Sequence, residues 1–294
     1  MRIRATVAAV SGALALSALA VPAAHAGDRS PATQQLPTSA AEIFGTAPKS
    51  SAAPRAAAFA LKAASAEPVL SKVVVNGGKG IVVTPTTTKT ISVTFNAAHA
   101  SGVSDAYVFL WHGKNLDNAD GAVLPVEESA KCSKVNTTTS ACKMTFKIRP
   151  GYDLWKNGLA GSWKVAVGAL AGNEADETFK TSYSTVNMQR ASKLTAVAAP
   201  KTVKKGKTIT VTGKLSRANW ENGKYQGYAG QPVKLQFRKK NSKTYTTVKT
   251  IKTNSTGNLK TTVKASASGY WRYSFAGTST TPAINAAGRY AGVR

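Results

Sequence analysis

The chain has 294 residues with 39 Lys and Arg against 13 Asp and Glu, a formal charge of +26, two cysteines and three histidines. These counts exclude a cysteine-rich mini-scaffold and a zinc site built from clustered Cys and His. The single long apolar run lies at the extreme N-terminus, which excludes a polytopic membrane protein.

That run reads as a secretory signal peptide over residues 1–26. A basic start (Arg2, Arg4) precedes an apolar stretch from Ala5 to Ala20, and Ala24-His25-Ala26 follows as an A-x-A cleavage site. The sequence therefore predicts an exported, extracellular product starting at Gly27, with a charge of +24 and no membrane span after processing. Residues 27–66 are Ala, Ser, Thr and Pro with isolated charges, and no apolar period lasts long enough to bury a face. They are expected to form a disordered linker or stalk.

From Val69 onward the pattern becomes short alternating runs separated by Gly, Asn, Asp and Pro. Ile91, Val93 and Phe95 alternate with Ser92 and Thr94; Tyr107 to Trp111, Met144-Phe146-Ile148 and Trp163-Val165-Val167 follow. A second set begins near residue 191: Ile209 and Val211; Val233, Leu235 and Phe237; Leu259, Thr261 and Val263; Trp271, Tyr273 and Phe275. Period-two alternation at this spacing predicts an all-β chain of two immunoglobulin-like sandwiches, residues 67–190 and 191–294. No amphipathic helix of ten residues interrupts the runs, so a parallel α/β sheet is not expected.

Cys132 and Cys142 flank Val135 to Thr139, a candidate hairpin tip. In an exported chain this spacing predicts a structural disulfide worth about 3 kcal/mol by loop closure, and not the C-x-x-C of a redox pair.

Charge divides unevenly between the two predicted sandwiches. Residues 67–190 hold 13 cations and 10 anions; residues 191–294 hold 20 cations and one anion, Glu221. Lys234, Arg238, Lys260, Lys264 and Arg272 fall at outward strand positions, which predicts one positive sheet face attractive to polyanions. Lysines on exposed strands also protect edges from pairing, which accounts for part of the excess. For an exported protein the polyanions at hand are cell-wall polymers and other envelope or extracellular material. Trp220 and Tyr225 sit among Arg217 and Lys224 as candidate contact aromatics. Nucleic acid is the less favoured ligand, because such aromatics more often pack a long loop onto a sandwich edge.

The acidic residues concentrate between Asp105 and Glu128. Asn118-x-Asp120-Gly121 with Glu127 overlaps a calcium-loop pattern, and Asp117, Asp120, Glu127 and Glu128 are the candidate Ca²⁺ ligands. Leu116 occupies the first ligand position, where a carboxylate belongs, so a solvated acidic loop is the simpler expectation and calcium the alternative function. No G-x-S-x-G, H-E-x-x-H or P-loop pattern occurs, and the second half offers one carboxylate and no histidine. A non-enzymatic protein without a resident cofactor is expected.

The segments VKKGKTITVTGKLSRANW, GQPVKLQFRKKNSKTYTTVKTIKTNSTG and LKTTVKASASGYWRYSFAGTSTTPA resemble the immunoglobulin-like module of Streptomyces exported proteins, over residues 191–294. The preceding region, with VVVNGGKG, LWHG and the two cysteines, is similar to the uncharacterised N-terminal partner module of that actinobacterial group. The resemblance implies the fold and an extracellular address. Some members are labelled calcium-binding, a label that Leu116 puts in doubt for this chain.

Overall fold

The computed structural model describes residues 36–46 and 66–294. The expected signal peptide and most of the segment expected to be a linker lie outside the described residues. The first described segment carries a five-residue helix, α1 (Ala40–Phe44), started by a reciprocal cap. The Ser39 hydroxyl accepts from the Glu42 amide (3.2 Å), and the Glu42 carboxylate accepts from the Thr38 amide (2.7 Å). Gly45, at φ 68°, ends the helix in the left-handed region.

Nine strands follow: β1 (Val69–Val75), β2 (Ile81–Val83), β3 (Lys89–Ala98), β4 (Val103–Gly113), β5 (Ala119–Val123), β6 (Lys131–Lys134), β7 (Thr139–Ile148), β8 (Gly161–Ala171) and β9 (Glu177–Arg190). They form a four-stranded sheet, β1-β3-β7-β6, and a five-stranded sheet, β2-β9-β8-β4-β5. This is the A-B-E-D and G-F-C order of an immunoglobulin-like sandwich, with β2 added in parallel beside β9 and β5 beside β4. The alternating residues supply the core: Ile91, Val93, Phe95, Met144, Phe146, Ile148, Trp163, Val165 and Val167 are all buried in one cluster. Each such side chain contributes roughly 1.5–3 kcal/mol by leaving water.

The disulfide joins Cys132 and Cys142, which face each other directly across the β6–β7 ladder. It ties the four-residue edge strand β6, exposed along its whole length, to the body of the sheet.

The five-stranded sheet is apolar on both faces. Its second face presents Phe109, Trp111 and Ala166, covered by Leu36 and Ile43 from the N-terminal segment. Leu36 is 5% exposed. The Phe44 ring lies over Gly168, where an added Cβ would come within 3.3 Å of it. Thr46 donates to Glu177 at 2.5 Å and fixes the segment's far end. Part of the region expected to be a disordered stalk is thus a packed strap, because the sheet beneath it has a second apolar face to bury.

Eleven strands build the second sandwich: β10 (Ser192–Leu194), β11 (Val197–Ala199), β12 (Thr202–Val203), β13 (Thr208–Asn219), β14 (Lys224–Gly227), β15 (Pro232–Lys239), β16 (Thr246–Lys252), β17 (Asn258–Lys264), β18 (Gly269–Phe275), β19 (Ile284–Asn285) and β20 (Arg289–Val293). One sheet centres on β13, with β10, β11, β14 and β17; the other runs β12-β20-β18-β15-β16, with β19 on β18. The order again follows the immunoglobulin arrangement, with β12 parallel to β20. Ile209, Val211, Leu215, Val233, Leu235, Leu259, Trp271, Tyr273 and Phe275 close the core. The buried Tyr273 hydroxyl donates to the Val211 carbonyl (2.8 Å), and burial pushes its pKa upward.

The two sandwiches meet at the end of β13. Trp220, 1% exposed, belongs to the core of the first sandwich, and its indole Nε1 donates to the Val83 carbonyl at 3.4 Å. The Asn157 side chain takes the Trp220 amide (3.0 Å) and donates to Asn219 Oδ1 (2.8 Å). Glu221, the one anion of the second half, accepts from the Asn157 amide at 2.8 Å. Arg190 is buried here with Nε donating to the Ala218 carbonyl at 2.5 Å. Burial, reinforced by the like charge of Arg217, lowers its pKa to about 10, so it stays charged at neutral pH.

Candidate functional site

The register of the second sandwich divides the five outward cations between two faces. Lys260 and Lys264 lie on β17, opposite Thr212 and Thr208 of β13. Lys234, Arg238 and Arg272 lie on β15 and β18, in the other sheet. The expectation of one face carrying all five is corrected: alternation places each residue outward, but strand pairing decides which outside it reaches. Among the described residues β17 pairs with β13 alone, so Lys260 and Lys264 stand on an open edge strand, where charge discourages edge-to-edge pairing.

Trp220 is also corrected. As the buried plug between the sandwiches it has no surface to offer a ligand. Tyr225 is half-buried against the first core, with the Lys193 ammonium 4.0 Å from its ring centre. Tyr228 lies under Arg217, 3.8 Å from ring centre to guanidinium carbon. The aromatics of the 217–230 hairpin are thus spent on packing and internal cation–π contacts.

The face that holds Arg238 and Arg272 carries a grouping that the alternation pattern alone did not disclose. The Arg272 guanidinium lies 3.8 Å from the Tyr245 ring centre. The Arg238 guanidinium lies 4.2 Å from the Tyr270 centre and 5.4 Å from that of Tyr245. Tyr270 meets Tyr290 of β20 edge to face, with centroids 5.3 Å apart and planes at 62°. Guanidinium and phenol groups thus alternate across β15, β18 and β20. Each arginine uses a donor internally, Arg272 Nε to Gln236 Oε1 (2.9 Å) and Arg238 Nη1 to the Ser242 carbonyl (2.5 Å). One bond apiece fixes the plane of a fork with five donors, an arrangement suited to carboxylate or phosphate. Lys234 stands exposed on the same face, opposite Ser274. Tyr270 could have been found from sequence, because it shares the outward parity of Arg272 on β18; Tyr245 sits in the β15–β16 loop, where alternation is silent.

The acidic residues of the first sandwich are not gathered. Among the described residues no three of His, Cys, Asp and Glu form a group that could hold a metal ion. The supposed calcium loop is the β4–β5 hairpin. Gly121 is a strand residue opposite His112, and its missing Cβ admits Leu159 and Trp163, which an added carbon would meet at 2.8 and 3.1 Å. Asp120 binds Lys156 (2.9 Å) and His112 (2.5 Å). Burial would raise the Asp120 pKa, but these two partners outweigh it and hold the carboxyl below its ordinary range. Glu127 accepts the Thr145 amide (2.8 Å), and against a burial effect that bond likewise lowers its pKa. Asp117 and Glu128 are exposed.

The His99 Nδ1 lies 2.7 Å from the Ser101 hydroxyl, and its Nε2 lies 3.5 Å from Asp176. The same Nδ1 accepts the Ser101 amide (3.2 Å), the Ser101 hydroxyl accepts the Asn173 amide (3.1 Å), and Asp176 accepts from the Asn173 side chain (2.6 Å). These contacts clasp the β3–β4 turn to the β8–β9 turn.

Residues 81–169, within the first sandwich, match a family model described as a family of unknown function, DUF5707. No curated protein matches the sequence. Among solved structures, the fibronectin(III)-like modules of CbhA from Clostridium thermocellum are similar at 10% identity and TM-score 0.33, covering 76% of this chain and 93% of that one. The D00-D0 domain of intimin is similar at 17% identity and TM-score 0.25, covering 76% and 99%. A DUF4785 family protein from Legionella pneumophila is similar at 10% identity and TM-score 0.35, covering 71% and 52%. The fold assignment rests on this chain's own strand order, which is that of two immunoglobulin-like sandwiches.

Proposed function

We propose that the protein is an exported, non-enzymatic binding protein whose second sandwich adheres to polyanions of the cell envelope. The observation that carries this reading is the arginine–tyrosine ladder, Arg272, Tyr245, Arg238 and Tyr270. It lies in a half-chain with 20 cations and one anion. The surplus supplies long-range attraction, and the stacked guanidinium groups supply directional contacts.

The test is retention of the protein on a polyphosphate matrix and on isolated cell wall, eluted with a salt gradient. Retention is expected to fall steeply as ionic strength rises. Replacing both ladder arginines (Arg238→Gln with Arg272→Gln) should lower the eluting salt concentration, while replacing both edge lysines (Lys260→Gln with Lys264→Gln) should change it little. The two pairs remove equal charge. Equal losses would show attraction without a specific face, and salt-independent retention would end the proposal.

A further inference from the structure

Beside the ladder lies a cleft of about 580 Å³. It is lined by Val197, Ala198, Lys201, Tyr270, Arg289 and Tyr290. From this cleft, and resting on the polyanion reading, we infer a subsite for one negatively charged sugar unit of an acidic polysaccharide. Its size falls within the range of small-molecule sites, and its make-up is a mostly apolar lining with a few polar groups.

Val197 and Ala198 belong to β11 of one sheet, while Tyr270 and Tyr290 come from β18 and β20 of the other. Both sheets therefore contribute lining residues. Tyr290 is 41% exposed, leaving much of its surface for a ligand. Its partner Tyr270 is braced on the other side by Arg238. Two exposed cations stand at the cleft, Lys201 and Arg289. Arg289 donates Nε to the Ala196 carbonyl (3.1 Å), which sets the direction of its guanidinium.

The geometry favours a sugar over a nucleobase. Single-stranded nucleic acid binds on flat aromatic platforms, base upon ring. Here the two tyrosines meet at 62°, and the rings of Tyr245 and Tyr270 already carry guanidinium groups. A puckered ring with apolar C–H faces and a carboxylate or phosphate substituent instead fits aliphatic and tyrosine walls with two cations beside them. The charged substituent would pair with Lys201 and Arg289, and charge-assisted hydrogen bonds would orient it.

Calorimetry of the whole protein with trigalacturonate, galactotriose, tripolyphosphate and a thymidylate trimer tests the inference. Trigalacturonate is expected to bind most tightly. Tyr290→Ala should weaken it by about tenfold, Tyr290→Phe should retain it, and Lys201→Gln with Arg289→Gln should reduce it to the level of galactotriose. Thermal unfolding of each variant verifies its fold, and retention on polyphosphate should survive Tyr290→Ala because the ladder is intact. Binding of tripolyphosphate as tightly as trigalacturonate, insensitive to Tyr290→Ala, would reduce the cleft to a charged surface and overturn the inference. Equal binding of the thymidylate trimer would also overturn it, in favour of nucleic acid. Absence of trigalacturonate binding with polyphosphate retention intact would remove the sugar subsite alone; sugar binding without polyphosphate retention would remove the broader reading alone.

Discussion

Trp220 is encoded in the second half of the chain yet fills the core of the first sandwich. Replacing it with alanine should destabilise the protein by about 3–5 kcal/mol, the usual range for a large aromatic removed from a core. A lower denaturant midpoint at unchanged slope is the expected readout. Asp120 makes a different contribution. His112 and Lys156 hold its carboxyl below the ordinary 3.8, so the stabilisation is present above that pH and disappears as pH falls through the lower folded value. Asp120→Asn should flatten the acid-side decline in stability between pH 5 and 2, by less than about 1 kcal/mol because the group is partly solvated. An unchanged acid profile would show that the three-residue cluster does not couple to folding. Trp220 illustrates where sequence reading stops. The sequence marks it as an aromatic in a long basic loop, but the pocket it enters is assembled from residues such as Val83, far away along the chain.

At the scale of elements, alternation was highly legible: the runs read from Ile91, Met144, Trp163, Val233 and Trp271 became β3, β7, β8, β15 and β18 with those residues inward. Parity could not distribute outward residues between sheets, because that depends on pairing across long loops, as with β17 on β13 and β15 on β18. The strap was missed for another reason. Five residues are too few for a helical period, although Ser39-Ala40-Ala41-Glu42 followed by Gly45 is a legible start and stop signal. Leu36→Asp should lift the strap and uncover Phe109 and Trp111, seen as increased binding of a hydrophobic dye with little loss of strand signal. For the β6–β7 hairpin, Cys132→Ser with Cys142→Ser should cost about 2–3 kcal/mol. Hydrogen exchange should then accelerate first in Lys131–Lys134, because β6 has a sheet neighbour on one side. Uniform acceleration across the sandwich would contradict that localisation.

At the scale of the whole molecule, the junction joins hydrogen bonds from Asn157, Arg190 and Glu221 around the buried indole. Such coupling predicts one calorimetric unfolding transition for the full chain, and two separated transitions would contradict it. Ending the chain at residue 190 should lower the melting temperature of the first sandwich, because it removes Trp220 from that core. The charge split between the halves was legible by counting. The place of Glu221 was not: the lone carboxylate of the basic half is engaged with the first sandwich and leaves the ladder face undiluted.

The indole at the junction also acts as a mechanical part. In the adhesion proposed above, the uneven distribution of positive charge would exert a torque turning the basic end toward a negatively charged wall. A hinge would dissipate that torque in bending; a hub wedged by an aromatic ring transmits it. If the second sandwich is captured as proposed, the first is expected to follow its heading, with the strap-covered sheet carried along.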